Sequence, residues 1–448
     1  MKKIVVVLLV LAALALAGCG TFAISGDAIS ALDATATAAA LEPAPPQPTP
    51  LVEANDDSAQ AIDFPAPAAS HEPADFTESP GTVAQPEDSE AVATAVPQEA
   101  KHMLPAPLYY LNPEDNQVWR VEQDGRTLTP VSAEGSAVEQ YAVNPVDGSV
   151  ALLTDNDLIL IGATGQERRV IVDAAPQSEG GVHWYLTDRI SNPVWSPDGQ
   201  TLAYGQNGIR FYHPTTGDTS LVLPNGDLGS DEPVHVYTPN SFAPDGGKLL
   251  LLVGWYQSGG AAPAVLHLNG DAPLVELQGA GFPCCTFSWS QDSSAIFAAN
   301  DSFGMLLPGL WRSDAATGET TTVVESELAD GDVRVFDWPV HLEDDQIAVF
   351  TDQGARMEFE SGQPHPMTLA TVDVPSGALD PVGEREWLPG EVVWFTDGNG
   401  LALTELLSGA ITGQWPPVGS VYYLSAPGAE ATELPVAGRL LAWGAAGS

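Results

Sequence analysis

The chain has 448 residues, with 59 Asp or Glu against 15 Lys or Arg and a formal net charge of −44. Such a chain repels nucleic acid and anionic lipid headgroups, so neither is an expected partner. The length leaves room for a large domain plus additional material, and the acid excess reads as solvated surface.

The amino terminus reads MKKIVVVLLVLAALALAGCG: two lysines, an apolar run from Ile4 to Ala17, then Leu16-Ala17-Gly18-Cys19. This is the make-up of a signal peptide, too short in its apolar core for a comfortable membrane span. The small residues before Cys19 resemble the bacterial lipobox. That resemblance implies a lipoprotein: residues 1–18 are removed, the Cys19 thiol is lipidated, and the chain is extracytoplasmic, held to the bacterial cell membrane by its lipid alone. An ordinary secretory signal that happens to contain a cysteine is the alternative.

Residues 19–104 are built from Ala, Pro, Glu, Asp, Ser and Thr, with clusters such as EPAPPQPTP at 42–50. Few aromatics and little apolar periodicity leave no core to offset the entropy of ordering, which predicts a disordered tether. A flexible segment of this length spans about 50 Å, and proline and like charge lengthen it.

From residue 105 the pattern changes to short apolar runs separated by turn signals. VWSPDGQTLAYGQNGIRFYHPTTGD (194–218) carries two strand-like runs, a Pro197-Asp198-Gly199 turn and a second reversal at Thr216-Gly217-Asp218. The unit recurs. Anchors at Val143, Trp195, Phe242, Trp289, Trp338, Trp394 and Trp443 are spaced by 52, 47, 47, 49, 56 and 49 residues, each except the last followed by a second apolar run. A period near this length with four short strands per unit predicts an all-β, seven-bladed β-propeller over residues 105–448, with six or eight blades as alternatives. After Trp443 no further strands remain, while PLYYL (107–111), QVWRVEQDG (117–125) and RTLTPV (126–131) stand unclaimed at the start. The last strand is therefore expected to complete the first blade, sealing the sheet edges in a single monomeric ring.

Trp195 to Tyr204 resembles the W-S-P-D-G-x-x-L-A-Y segment of TolB-like, WD-repeat-related propellers residue for residue. Trp289/Ser290/Asp292, Pro244/Asp245/Gly246 and Trp394/Asp397/Gly398 match it in part. The resemblance implies a fold over about residues 105–448 and says little of function, because propellers host many activities. TolB carries an α/β domain before its propeller where this chain has a tether, so TolB's partners are not expected to carry over.

Connections between second and third strands, and between successive blades, are the long ones: 174–191, 225–237, 255–263, 300–308, 353–366 and 405–419. Elaboration at one end of the disc marks it as a working face. Its loops are rich in aromatic and imidazole side chains, and His183, Trp184, Tyr185, His235, Tyr237, Trp255, Tyr256 and Trp415 are the candidate binding residues. Flat rings with a polar edge suit protein hot spots or sugar stacking, although part of such a set folds back as loop packing.

Besides Cys19, the cysteines are the adjacent Cys284 and Cys285. Two unlinked buried thiols, a vicinal disulfide at the mouth of the channel, or a reactive thiol are the readings open to them. No GxSxG, HExxH, CxxCH or P-loop occurs, and Gly199 falls one place early for a sialidase Asp-box. No cofactor, no resident metal and no catalytic residue are assigned. Asp155-Asn156-Asp157 and Asp330-Gly331-Asp332 could hold calcium but lack the spacing of an EF-hand loop. His183, His235, His341 and His365 could meet across a channel, and Asp188, Glu358 and Glu360 sit in working-face loops. The expected function is a non-catalytic binding platform in the cell envelope, for an envelope or exported protein or a carbohydrate. The alternatives are a propeller enzyme processing glycan or peptidoglycan, and a small-ligand sensor.

Overall fold

The computed structural model describes residues 102–181, 183–229, 234–256, 261–269, 274–278, 286–301, 308–359, 364–396, 398, 400–406 and 418–446. Cys19, the tether, Cys284, Cys285 and Trp415 lie outside these residues. Leu104 is already part of the core, and the Met103 and Leu104 N–H groups donate to the Gln123 carbonyl.

The chain is all-β and antiparallel. It opens with β1 (Leu108–Leu111), β2 (Val118–Val121) and β3 (Leu128–Pro130). Five four-stranded sheets follow. The first holds β4 (Gln140–Val143), β5 (Val150–Thr154), β6 (Asp157–Ile161) and β7 (Arg169–Val172). The next holds β8 (Ser191–Trp195), β9 (Leu202–Gly205), β10 (Gly208–His213) and β11 (Asp218–Pro224). Then come β12 (His235–Phe242), β13 (Lys248–Trp255), β14 (Ala261–His267) and β15 (Leu274–Glu276). A fourth has β16 (Thr286–Trp289), β17 (Ala295–Asn300), β18 (Gly309–Asp314) and β19 (Thr320–Val324). The fifth has β20 (Val333–His341), β21 (Gln346–Gly354), β22 (Met367–Asp373) and β23 (Leu379–Trp387). The remaining strands are β24 (Pro389–Trp394), β25 (Leu401–Glu405), β26 (Gly419–Leu424) and β27 (Thr432–Trp443).

These last strands join the first three in one sheet of seven, ordered β24-β25-β26-β27-β1-β2-β3. The long β27 serves two neighbours in turn. Its first half pairs with β26 (Gly419↔Gly438, Tyr423↔Thr432), and its second half pairs with β1 (Leu108↔Trp443, Tyr109↔Ala442, Leu111↔Arg439). The expected pairing of the segment around Trp443 with the segment around Tyr109 is therefore present.

Burial explains the strand sequences. Each sheet's second strand is apolar on both faces, as in AIFAAN (295–300) and LAYG (202–205), because both faces pack against neighbouring sheets. Outer strands are wet: DTSLVLP in β11 is exposed at six of seven positions. Most core clusters draw on two neighbouring sheets, and one joins the two ends of the seven-stranded sheet. Ala151, Leu153 and Leu158 meet Trp195, Leu202 and Tyr204. Ala203 and Ile209 meet Phe242, Leu249 and Leu251. Phe297, Ala299 and Leu310 meet Phe336, Ile347 and Val349. Leu108, Tyr110 and Val121 meet Ala402 and Val421.

The anchors have a shared second task. The indole N–H of Trp195 donates to the Ala142 carbonyl (3.2 Å), that of Trp289 to the Ser241 hydroxyl (3.2 Å), and that of Trp443 to the Val393 carbonyl (3.2 Å). In each case the partner directly precedes the anchor of the preceding unit. Trp394 donates to Trp338 itself (3.0 Å). That one-residue offset has a cause: Trp338 sits at φ +48° within a register shift between Asp337 and Val340, which moves the carbonyls along. The following turn is also built from side chains. Ser196 Oγ donates to Asp198 (2.6 Å) and accepts from the Thr201 N–H (2.9 Å), and Ser290, Asp292 and Ala295 repeat the pattern.

Candidate functional site

The connection from β7 to β8 is held by one buried asparagine. Asn156, at φ +68°, donates to the Ala175 carbonyl (2.8 Å) and the Asp188 carbonyl (3.1 Å) and accepts from the Ile190 N–H (2.7 Å). Between these fixed points the chain makes a one-turn helix, α1 (Trp184–Thr187). A second asparagine ties this loop to the neighbouring sheet. Asn225 donates to the Leu186 carbonyl (2.9 Å) and accepts from the Tyr237 N–H (3.0 Å).

Between the two braces lies a cleft of about 210 Å³, where the β8–β11 sheet meets the β12–β15 sheet. Tyr185, Tyr237, Trp255 and Tyr256 line it. His183 meets Tyr256 edge to face (6.3 Å between centroids), and His235 meets both Tyr237 (6.3 Å) and Trp255 (6.2 Å) in the same manner. Six residues singled out from the sequence thus gather at one place: His183, Tyr185, His235, Tyr237, Trp255 and Tyr256. Trp184 does not join them. It is buried, its indole N–H donates to Ala175 (2.9 Å), and it supports Tyr185 edge to face (5.1 Å). Its place as a ligand contact is corrected to packing beneath the loop, because a one-turn helix points consecutive side chains in different directions.

The polar part of the lining was not anticipated. Arg189 lies 5.7 Å from the Tyr185 ring centroid, and the Tyr185 hydroxyl accepts from Gln177 (2.6 Å). Asn192, Gln206 and Asn207 add amides. A signal for this region did exist: residues 199–217 and 246–270 contain no Asp or Glu, two long gaps in an acid-rich chain, and both contribute to the cleft. Burial raises the proton affinity of the Tyr237 hydroxyl, and the Glu276 carboxylate adds to it, so Tyr237 stays a neutral donor near neutral pH.

A second, more open cavity of about 490 Å³ lies at the short-turn end and is lined by Asp292, His341, Glu343, Asp344 and Asp345. His341 stacks on Phe297 (5.3 Å, 7°). Asp292 is occupied by the turn: Ser290 and Ser294 hold its carboxyl down to about 2. A third group joins the β16–β19 and β20–β23 sheets. Buried Asp337 accepts from the Thr286 hydroxyl and the Trp338 N–H; burial raises its proton affinity first and the charge of Asp301 second. Burial likewise raises Asp301, opposed by His365, whose ring lies edge to face with Phe359 (4.9 Å). His183, His235, His341 and His365 are thus distributed over three separate places. Among the described residues no group of three or more His, Cys, Asp or Glu is placed to hold a metal ion, and no helix is long and apolar enough to cross a membrane.

No known family pattern matches the chain, and no curated protein does. Its structural neighbours are TolB proteins and other β-propellers. TolB from Acinetobacter baumannii is 14% identical, with a TM-score of 0.38 over 73% of this chain and 79% of that one. An oligogalacturonate lyase from Vibrio parahaemolyticus is 10% identical, with a TM-score of 0.48 over 73% of this chain and 83% of that one. A β-propeller domain from Myceliophteria thermophila is 11% identical, with a TM-score of 0.39 over 66% and 86%. No site residue is carried over from any of them.

Proposed function

We propose that this chain is an extracytoplasmic, lipid-anchored binding platform, non-catalytic, that takes its ligand in the aromatic cleft between the β8–β11 and β12–β15 sheets. The observation that carries the reading is the convergence of Tyr185, Tyr237, Trp255 and Tyr256 on one cleft. They arrive from two sheets and a braced loop, so the walls are formed before a ligand arrives and little ordering cost falls on binding. The folded part is read as seven blades, with the seven-stranded sheet counted as two four-stranded blades sharing β27. Lipidation at Cys19 and a tether over 19–104 would hold this ring, as a monomer, away from the membrane surface. Its partner would be an envelope or exported protein or a carbohydrate.

The test is a panel of oligosaccharides and exported-protein peptides titrated against the purified protein and its Trp255→Ala variant. The variant should bind a hit at least tenfold more weakly while melting at a similar temperature. A hit that binds both proteins equally would move the site elsewhere.

A second reading, a glycan-processing enzyme, is favoured by one observation: the Asp301 charge raises the proton affinity of buried Asp337, and the His365 charge opposes the rise at Asp301. Such a group could share a proton between acid and base roles. Turnover of a sugar that is lost in Asp301→Asn and kept in Trp255→Ala would establish it in place of the platform.

A further inference from the structure

We propose that the aromatic cleft is selective for a sugar acid, a single pyranose-sized unit whose ring lies among the aromatic walls and whose carboxylate is met by Arg189. This rests on the reading of the cleft as the ligand seat.

The argument begins with a contrast in charge. Eighteen residues line the cleft, none of them Asp or Glu, and Arg189 is the one charged side chain among them. The whole chain carries 59 acids in 448 residues, a frequency that would put about two in a lining of that size. The cavity at the short-turn end follows the general rule, with Asp292, Glu343, Asp344 and Asp345 in its wall. The wall of the cleft is thus free of acids, although Glu139 and Glu276 act on Arg189 and Tyr237 from outside the lining.

The cation has a fixed seat. Arg189 lies against the Tyr185 ring; burial lowers its proton affinity, and Tyr185 and Glu139 oppose that in part. A guanidinium presents a planar fork that can take both oxygens of a carboxylate, and apolar walls strengthen that pairing relative to open water. Repulsion from the remaining acids is screened beyond about 8 Å at physiological salt, so one carboxylate delivered into the cleft meets mainly its local surroundings.

Shape and polarity favour a sugar over a peptide. A volume of about 210 Å³ is closer to one ring than to a chain segment, being below the roughly 300–1,000 Å³ usual for drug-sized ligands. Tyr and Trp faces suit the apolar face of a pyranose. Gln206 and Asn207 line the cleft, and among the described residues their side chains make no hydrogen bond. Each amide carries both a donor and an acceptor, the combination that adjacent hydroxyls satisfy.

The experiment is a fluorescence or NMR titration of the full protein, at about 0.15 M salt, with a glucuronate-terminated trisaccharide and its neutral, glucose-terminated counterpart. The acidic sugar should bind at least tenfold more tightly. Arg189→Gln should bring its affinity down to that of the neutral sugar and leave the neutral sugar's affinity unchanged. Because Arg189 is half-buried, the thermal melt of each variant is recorded alongside. Arg189→Lys, which keeps the charge and loses the fork, should reduce the preference by threefold or more. Equal affinity for the two sugars, or a preference that survives both substitutions, overturns the inference. If both sugars bind alike and Trp255→Ala weakens both, the cleft stands and its acid selectivity falls. Should only a short peptide with a free C-terminal carboxylate bind, and depend on Arg189, the sugar assignment falls while the cleft remains. Binding of either sugar that is indifferent to Trp255→Ala removes the cleft and the selectivity together.

Discussion

Glu391 shows how far a single residue can depart from the solvated acids around it. Its Oε1 accepts the Leu441 N–H (3.0 Å) from the second half of β27, in a stretch where Leu440 adopts φ +51°. Its Oε2 is sealed from water and meets no hydrogen bond of ordinary geometry among the described residues, although the Leu440 backbone also favours the charged carboxyl. The ionisable groups near it are Arg439, which favours its charge, and Tyr141, whose hydroxyl donates to the Leu440 carbonyl. Burial dominates and pushes the Glu391 carboxyl from 4.5 up to about 7. The sign follows directly. A carboxyl raised on folding stabilises the protein below its unfolded value, and that contribution is lost as pH rises through the folded value. From about pH 4.5 to about 7 the loss amounts to roughly 3 kcal/mol. Glu391→Gln should therefore melt higher than the parent at pH 8 and no higher at pH 5. A pH-independent difference between the two proteins would show that the carboxyl ionises freely. Nothing at the sequence level set Glu391 apart from the other 58 acids, since its position depends on a strand about 50 residues away.

At the scale of the strand and its turn, the sequence was most informative. Trp195, Trp289 and Trp443 mark the first strand of a unit because the indole does two things there, filling the gap between sheets and donating to the preceding unit's backbone. A repeated requirement leaves a repeated residue. Trp289→Phe keeps most of the packing and removes the donor to Ser241, and should cost about 1 kcal/mol in denaturant unfolding. Trp289→Ala should cost about 3–5 kcal/mol. Equal losses for the two would mean that the hydrogen bond contributes nothing. The loops were less legible. Pattern alone located the aromatic residues, but α1 turned Trp184 inward, and Asn156 and Asn225 decided which rings would meet. These organisers act on residues far along the chain and occur once each, so no periodicity announces them. Arg189 escaped notice for the same reason, although the acid-free runs around the cleft were present in the sequence.

For the whole molecule, the sharing of β27 between β26 and β1 is the feature on which order depends. Removing residues 439–448 would leave β1 unpaired along one edge and take away the Trp443 donor to Val393. An exposed strand edge recruits other chains. The shortened protein should self-associate in light scattering and lose its cooperative melt. A monodisperse, sharply melting product would show that the pairing is dispensable.

The same shared strand also imposes a schedule. Tyr109 is made well before Ala442, so a nascent polypeptide cannot form this pairing until both segments have left the ribosome. Sealing by so distant a pair is entropically demanding and slow to nucleate. A product interrupted before Ala442 leaves β1 unpaired along one side, a margin open to other chains.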